Sequence, residues 1–252
     1  KWYGVSFVPS DLYLDIPESN LGNNTYRYED SWKESYAWKA DTVVYFRVKI
    51  ALCDASFSAI AESPWSNVTS IGFKASAWAL ADIQQAGENG LIPQSINGDF
   101  TRPITREEIA ELSVKLYEKI TQKSAESVSP NPFLDCTNPE VLKSYKLAIV
   151  EGISANKFSP LALTNREQIA TMLFRAAKAI KPAGDFTIIG APKFADDKTI
   201  ASWASTEVKF MAKQGFIKGV GNNRFAPKGT TSCEQAIAIA LRVYNNYAGI
   251  IT

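Results

Sequence analysis

One pattern recurs three times between about Ala75 and the C-terminus, and this periodicity limits the possible folds more than any other feature of the chain. Each copy has an apolar, helix-like stretch, a Gly-apolar-apolar turn, a phenylalanine ten residues on, a proline, and then a capped helix. The first copy carries Gly90-Leu91-Ile92, Phe100 and Pro103, and the third carries Gly215-Phe216-Ile217, Phe225 and Pro227. In the second, Ala148-Ile149-Val150 replaces the glycine but keeps the spacing to Phe158, with Pro160 behind it.

The helix starts are Thr105-Arg106-Glu107-Glu108, Asn165-Arg166-Glu167-Gln168 and Ser232-Cys233-Glu234-Gln235. Each is a capping box or a close variant: the first side chain accepts from the fourth residue's N–H, and the fourth side chain reaches back. Behind the caps, Ile109, Leu112, Leu116 and Ile120 fall at helical spacing, as do Ile169, Leu173, Ala176 and Ile180, and Ile237, Ala240, Leu241 and Tyr244. A single copy cannot cover such a stripe, so the three are expected to meet in a three-helix core with pseudo-threefold symmetry. A shorter helix before each turn is expected around Trp78 and Ile83, around Val141 and Tyr145, and around Trp203 and Phe210. Copies two and three open with Phe133-Leu134-Asp135 and Phe194-Ala195-Asp196; the first lacks this opening unless Phe73 is its remnant.

Residues before about Gly72 have a different texture, rich in aromatic side chains. Thr42 to Ile50 reads as one strand, Ser66 to Ile71 as another, and Asp54 to Pro64 as the loop between them. Tyr45-Phe46-Arg47-Val48 followed by Trp65-Ser66-Asn67-Val68 resembles the last two strands of a fibronectin type III sandwich. A divergent or truncated sandwich acting as a connector is the expectation.

Composition then narrows the function. At 252 residues and 46% hydrophobic the chain can bury a real core, and basic residues exceed acidic ones by only one, which gives no field for nucleic acid. No apolar run is long enough to span a membrane, and the opening Lys1-Trp2-Tyr3-Gly4 is unlike a signal peptide, so a soluble fragment or mature form is expected. Histidine is absent, which removes the usual general base and the commonest zinc ligand. Cys53, Cys136 and Cys233 lack any C-x-x-C spacing. Neither a metal nor a cofactor is expected, and catalytic acids would not normally recur once per repeat, so an enzyme is not expected.

With Phe-x-Asp openings and Thr105-Arg106-Glu107-Glu108-Ile109-Ala110 and Asn165-Arg166-Glu167-Gln168-Ile169-Ala170 as repeat ends, the chain from about Ala75 to Tyr247 resembles the S-layer homology family. The expected fold is α+β multidomain: a mainly α-helical pseudo-trimer with a central three-helix bundle behind a small β-sandwich-like module. The segments are 1–72, 73–125, 126–185 and 186–252. The resemblance implies non-covalent anchoring to a bacterial cell wall through secondary cell-wall polysaccharide, often pyruvylated, held in grooves between repeats. The alternative is assembly with other surface-layer protomers without glycan binding. Nucleic acid and membrane insertion are not expected among the partners, and the location implied is the extracellular wall or S-layer.

The candidate polysaccharide ligands follow from their chemistry. Arg106 and Arg166 stand at the first helical position, where free N–H groups favour anions and a guanidinium adds a planar fork matched to a carboxylate. They would bind the polymer, or instead pair with Asp135, Asp196 or the adjacent glutamates; the two aspartates are themselves candidate ligands. Trp78 and Trp203 would stack on a sugar face or pack in the core. Glu107, Glu167 and Glu234 would accept sugar hydroxyls or merely cap. Gly152 and Gly219 would allow a positive φ, a close ligand approach or a plain turn. Cys233 stands where the third arginine should be, so the third groove is expected to be weak or lost, with Cys233→Arg as its test.

Overall fold

A computed structural model describes residues 74–249 and, ahead of them, the backbone of six strands. The chain divides into two compact units, 1–74 and 75–252. The first holds β1 (Trp2–Phe7), β2 (Leu12–Ile16), β3 (Val43–Phe46), β4 (Ile50–Cys53), β5 (Ala59–Glu62) and β6 (Thr69–Gly72). Four form an antiparallel sheet in the order β2-β1-β4-β5, and β3 pairs with β6 in a second, with Val43 opposite Gly72 and Phe46 opposite Thr69.

Two expectations change here. The strand read as Thr42 to Ile50 is two strands, β3 and β4, that belong to different sheets, and the loop read as Asp54 to Pro64 contains β5. The alanines of Ala59-Ile60-Ala61 carry little strand propensity, so pairing with β4, with its register shift at Leu52 and Cys53, decides the conformation there. Residues 42, 47–49 and 66–68 of the expected strands, and Phe73, lie outside the described residues.

The second unit is built from three long helices, α2 (Arg106–Thr121), α4 (Arg166–Ile180) and α6 (Cys233–Tyr247), and three short ones, α1 (Leu80–Glu88), α3 (Pro139–Lys146) and α5 (Ser205–Lys213). All three capping boxes are formed, with Thr105, Asn165 and Ser232 in extended backbone accepting from Glu108, Gln168 and Gln235. The long helices touch one another pairwise, and their stripes, including Ile109, Leu116, Ile169, Leu173, Ile237 and Ala240, are fully buried. Each short helix covers the long helix of another segment: α3 lies on α2, α5 on α4, and α1 on α6.

The main chain repeats this circular exchange. The first two N–H groups of α2 donate to Ala162 and Pro160, those of α4 to Gly229 and Pro227, and those of α6 to Arg102 and Phe100. Donors that a helix start leaves unpaired are thus satisfied by the loop of the next segment, and the third segment returns to the first. In this register Phe100 occupies the place of Pro160 and Pro227, because the loop from phenylalanine to helix is two residues shorter in the first segment.

The turn after each short helix is left-handed, at Gly90 (φ 64°), Ala148 (φ 55°) and Gly215 (φ 72°). The same backbone bonds close all three: Leu91, Ile149 and Phe216 donate to Ala86, Ser144 and Met211. An alanine in this conformation brings its Cβ against a carbonyl at a cost of roughly 1–2 kcal/mol, partly offset by the greater freedom of glycine in the unfolded chain. Ala148→Gly is therefore expected to stabilise the protein by about 0.5–1 kcal/mol, read as a rise in the urea midpoint at constant slope.

Candidate functional site

Two clefts of like construction lie at the starts of α2 and α4. The first, of about 190 Å³, is lined by Arg106, Glu151, Gly152, Gln168, Arg175 and Trp203. The second, of about 360 Å³, is lined by Arg166, Lys218, Gly219, Gln235, Arg242 and Trp78. Each thus takes its arginine from one segment, its turn and helix face from the next, and its tryptophan from the remaining one.

Main-chain carbonyls accept the side-chain hydrogen bonds of both arginines. Arg106 Nε donates to Phe158 O at 3.0 Å and Nη2 to Glu151 O at 2.9 Å; Arg166 Nε donates to Phe225 O at 2.7 Å and Nη2 to Lys218 O at 2.8 Å. The guanidinium carbons sit 4.8 and 5.1 Å from the ring centroids of Phe158 and Phe225. Neither arginine makes an ion pair with a described residue, although the charge of Asp196 reaches Arg166 from beyond ion-pair distance. They are 7% and 9% exposed. Burial pushes both guanidinium groups below their ordinary value, with the charge of Asp196 opposing this at Arg166.

The aspartates act one step back. Asp135 accepts from the N–H groups of Phe158 and Ser159 at 2.8 and 2.9 Å, and Asp196 from those of Phe225 and Ala226, both at 2.8 Å. Each carboxylate clamps the turn whose carbonyl grips the arginine. The Phe158 amide, then that of Ser159, holds Asp135 below the usual carboxylate value. Burial alone would raise Asp196, but the Phe225 and Ala226 amides outweigh it and lower it too.

Both tryptophans are about half exposed, 54% for Trp78 and 52% for Trp203, so each presents an open face to its cleft rather than packing in the core. Gly152 and Gly219 line the clefts, but not through a positive φ. A Cβ would lie 2.5 Å from Ser154 O at the first and 2.8 Å from Arg224 O at the second, so the close approach that requires glycine is by the chain's own carbonyl.

The three glutamates line neither cleft. Glu107 accepts from the Asn138 amide, Glu167 from the Ala201 N–H at 3.0 Å and from Lys228, and Glu234 from the N–H and hydroxyl of Ser76, both at 2.8 Å. Each ties its helix start to the start of another segment's short helix. Sequence reasoning missed Arg175 and Arg242, which face the clefts from nine residues beyond Arg166 and Cys233.

Where a third cleft would stand, Cys233 is wholly buried and its thiol is pushed up to about 12 by burial. Glu108 replaces the neutral Gln168 and Gln235 of the other two. Arg102 donates to it from Nη1 and Nη2 at 2.9 and 2.5 Å. This bond is the main cause of a raised Arg102; burial opposes but does not prevent a lowered Glu108. The cation is present but already neutralised from within. Cys233→Arg alone is expected to add no binding site in a titration, because the new guanidinium enters beside Arg102; adding Arg102→Ala and Glu108→Gln is expected to raise the stoichiometry.

Comparison with known families bears on the segment that completes this arrangement. Residues 193–237 match the family model of the S-layer homology domain. The matched stretch runs from the Phe194 opening to the first turn of α6 and includes Asp196, Trp203 and Gly219. The chain is also 31% identical over 169 residues to exoglucanase XynX of Acetivibrio thermocellus, covering 64% of this chain and 15% of that protein. It is 38% identical over 96 residues to an amylopullulanase of Thermoanaerobacterium thermosulfurigenes (38% of this chain, 5% of that protein). An endoglucanase of Bacillus sp. (strain KSM-635) is 30% identical over 112 residues (40% and 12%). The chain thus spans no more than 15% of the length of these relatives. The S-layer homology match supports cell-surface or cell-wall association in general. No helix among the described residues is long and apolar enough to cross a membrane, and no group of described residues would hold a metal ion.

Proposed function

We propose that residues 75–249 form a non-catalytic wall anchor in which three S-layer homology segments close into a pseudo-trimer and bind anionic secondary cell-wall polysaccharide in the two arginine clefts. One observation carries this reading: Arg106 and Arg166 are buried at helix starts, gripped by carbonyls, and neither is ion-paired with a described residue. A buried, unpaired cation costs several kcal/mol relative to one that is paired. Carbonyl dipoles offset part of that, and a carboxylate arriving through the cleft would supply the rest with a charge-assisted bond. A pyruvate ketal carries such a group, and the exposed indole beside each arginine offers a flat apolar face to the sugar ring. The S-layer homology match and the bacterial relatives support the same setting. The enzymatic names of those relatives describe proteins of which this chain covers a small part, and catalysis is not proposed here. Residues 1–74, with strands in two sheets, are proposed as a β-sandwich-like connector.

The test is retention of the purified chain on peptidoglycan sacculi before and after the attached polymer is stripped by mild acid. Retention that vanishes with the polymer supports anchoring. Retention that survives stripping would transfer the function to assembly with other surface-layer protomers.

A further inference from the structure

The two clefts are built on one plan, yet one position in them has opposite sign. Glu151 and Lys218 both stand one residue before the cleft glycine, and the carbonyl of each accepts from Nη2 of the buried arginine. Their side chains therefore start from the same point relative to the binding cation. In the first cleft the Glu151 carboxylate lies 3.1 Å from Arg175, so the second cation of that cleft is already paired. In the second, Arg242 donates to Phe216 O at 3.1 Å and approaches an acid only at Asp82, 3.8 Å away and not part of the lining. Lys218 adds a third positive charge to that lining. The first cleft thus holds two arginines and a carboxylate, and the second two arginines and a lysine.

Resting on the anchoring reading, we infer that the Glu151/Lys218 position sets the charge preference of each cleft: the second is the primary site for polymer units carrying acidic groups, and the first takes units of lower charge. An anion entering the first cleft meets Glu151 beside the arginine and must displace it from Arg175. One entering the second meets Lys218 where the first has Glu151, and an Arg242 whose acid partner, Asp82, is more distant and outside the lining. Glu151 and Lys218 are exposed and Arg175 only partly so, and the contrast is therefore moderate, about 5- to 10-fold in affinity at low salt, and it shrinks as salt screens the outer charges.

Calorimetric titration of the full chain with a pyruvylated wall disaccharide, and with the same disaccharide after removal of the ketal, tests this. Arg166→Gln leaves the first cleft to be read alone, and Arg106→Gln leaves the second. The second is expected to bind the pyruvylated probe about 5- to 10-fold more tightly and with the steeper salt dependence. Glu151→Lys should tighten the first cleft, and Lys218→Glu should loosen the second, by similar factors. Equal affinities in the two single-cleft variants, or exchanges that leave both unchanged, would overturn the inference while leaving the anchoring reading in place. A wild-type chain that binds neither probe would overturn both.

Discussion

Replacing Arg106 and Arg166 together by glutamine is expected to release the chain from wall polymer. A hydrogen bond to a charged group contributes about 1.5–3 kcal/mol, which corresponds to roughly 10- to 100-fold in affinity for each cleft. The loss exceeds that of any other pair of substitutions in the clefts because these two cations are the buried ones. Glutamine keeps an amide donor near the Phe158 and Phe225 carbonyls, so the turns retain a partner while the charge is gone. Sacculus retention measured beside a thermal melt separates the two effects: lost retention with an unchanged melt assigns the arginines to the ligand. Lysine at the same positions keeps the charge without the planar fork and is expected to fall between. Full retention by the glutamine pair would remove the basis for placing the polymer in these clefts.

The largest loss of stability is expected from Glu234→Ala. The Glu234 carboxylate is 5% exposed and accepts both the N–H and the hydroxyl of Ser76. Removing it forfeits two charge-assisted bonds, leaves the Ser76 N–H without its acceptor, and takes a favourable negative charge from the second position of α6. Ser76 is only partly buried, so water recovers some of the cost, and the expected net loss is about 2–3 kcal/mol. Urea unfolding followed by circular dichroism reads it, and Glu234→Gln, which keeps one acceptor oxygen, should recover part. A change below about 0.5 kcal/mol, the range of an ordinary surface substitution, would mean that the tie between the last segment and the first does little for the fold.

Local features of the second unit were legible because local chemistry decides them. A cap is set by residues three apart, and a buried stripe repeats every turn, so the starts and inner faces of α2, α4 and α6 can be read without knowing what they touch. The arginines belong to the same class: the first helical position is itself defined by the cap. What failed to show was whatever depends on a partner far along the chain. Glu107, Glu167 and Glu234 have the right chemistry for a sugar ligand, and only their distant partners Asn138, Ala201 and Ser76 show that they join segments. Asp135 and Asp196 look like ion-pair partners for Arg106 and Arg166 but instead bind backbone amides more than twenty residues away. Trp78 and Trp203 fit a core or a surface equally well in sequence; what decides it is that each lies in a 3-10 turn just ahead of α1 or α5, where it lines a cleft of other segments. Arg175 and Arg242 did leave a trace, since Lys115 makes the same position basic in all three segments, although charges ten residues into a helix read as ordinary solvent-facing ones.

The exchange of helix covers and loop carbonyls among the segments has a consequence for how the molecule is made. Ser76 meets its carboxylate 158 positions later, and α1 has nothing to rest on until α6 exists. An open solenoid can fold from its first unit as synthesis proceeds and can grow by one more unit at its end. Here α1 waits for α6, a long-range closure that slows folding.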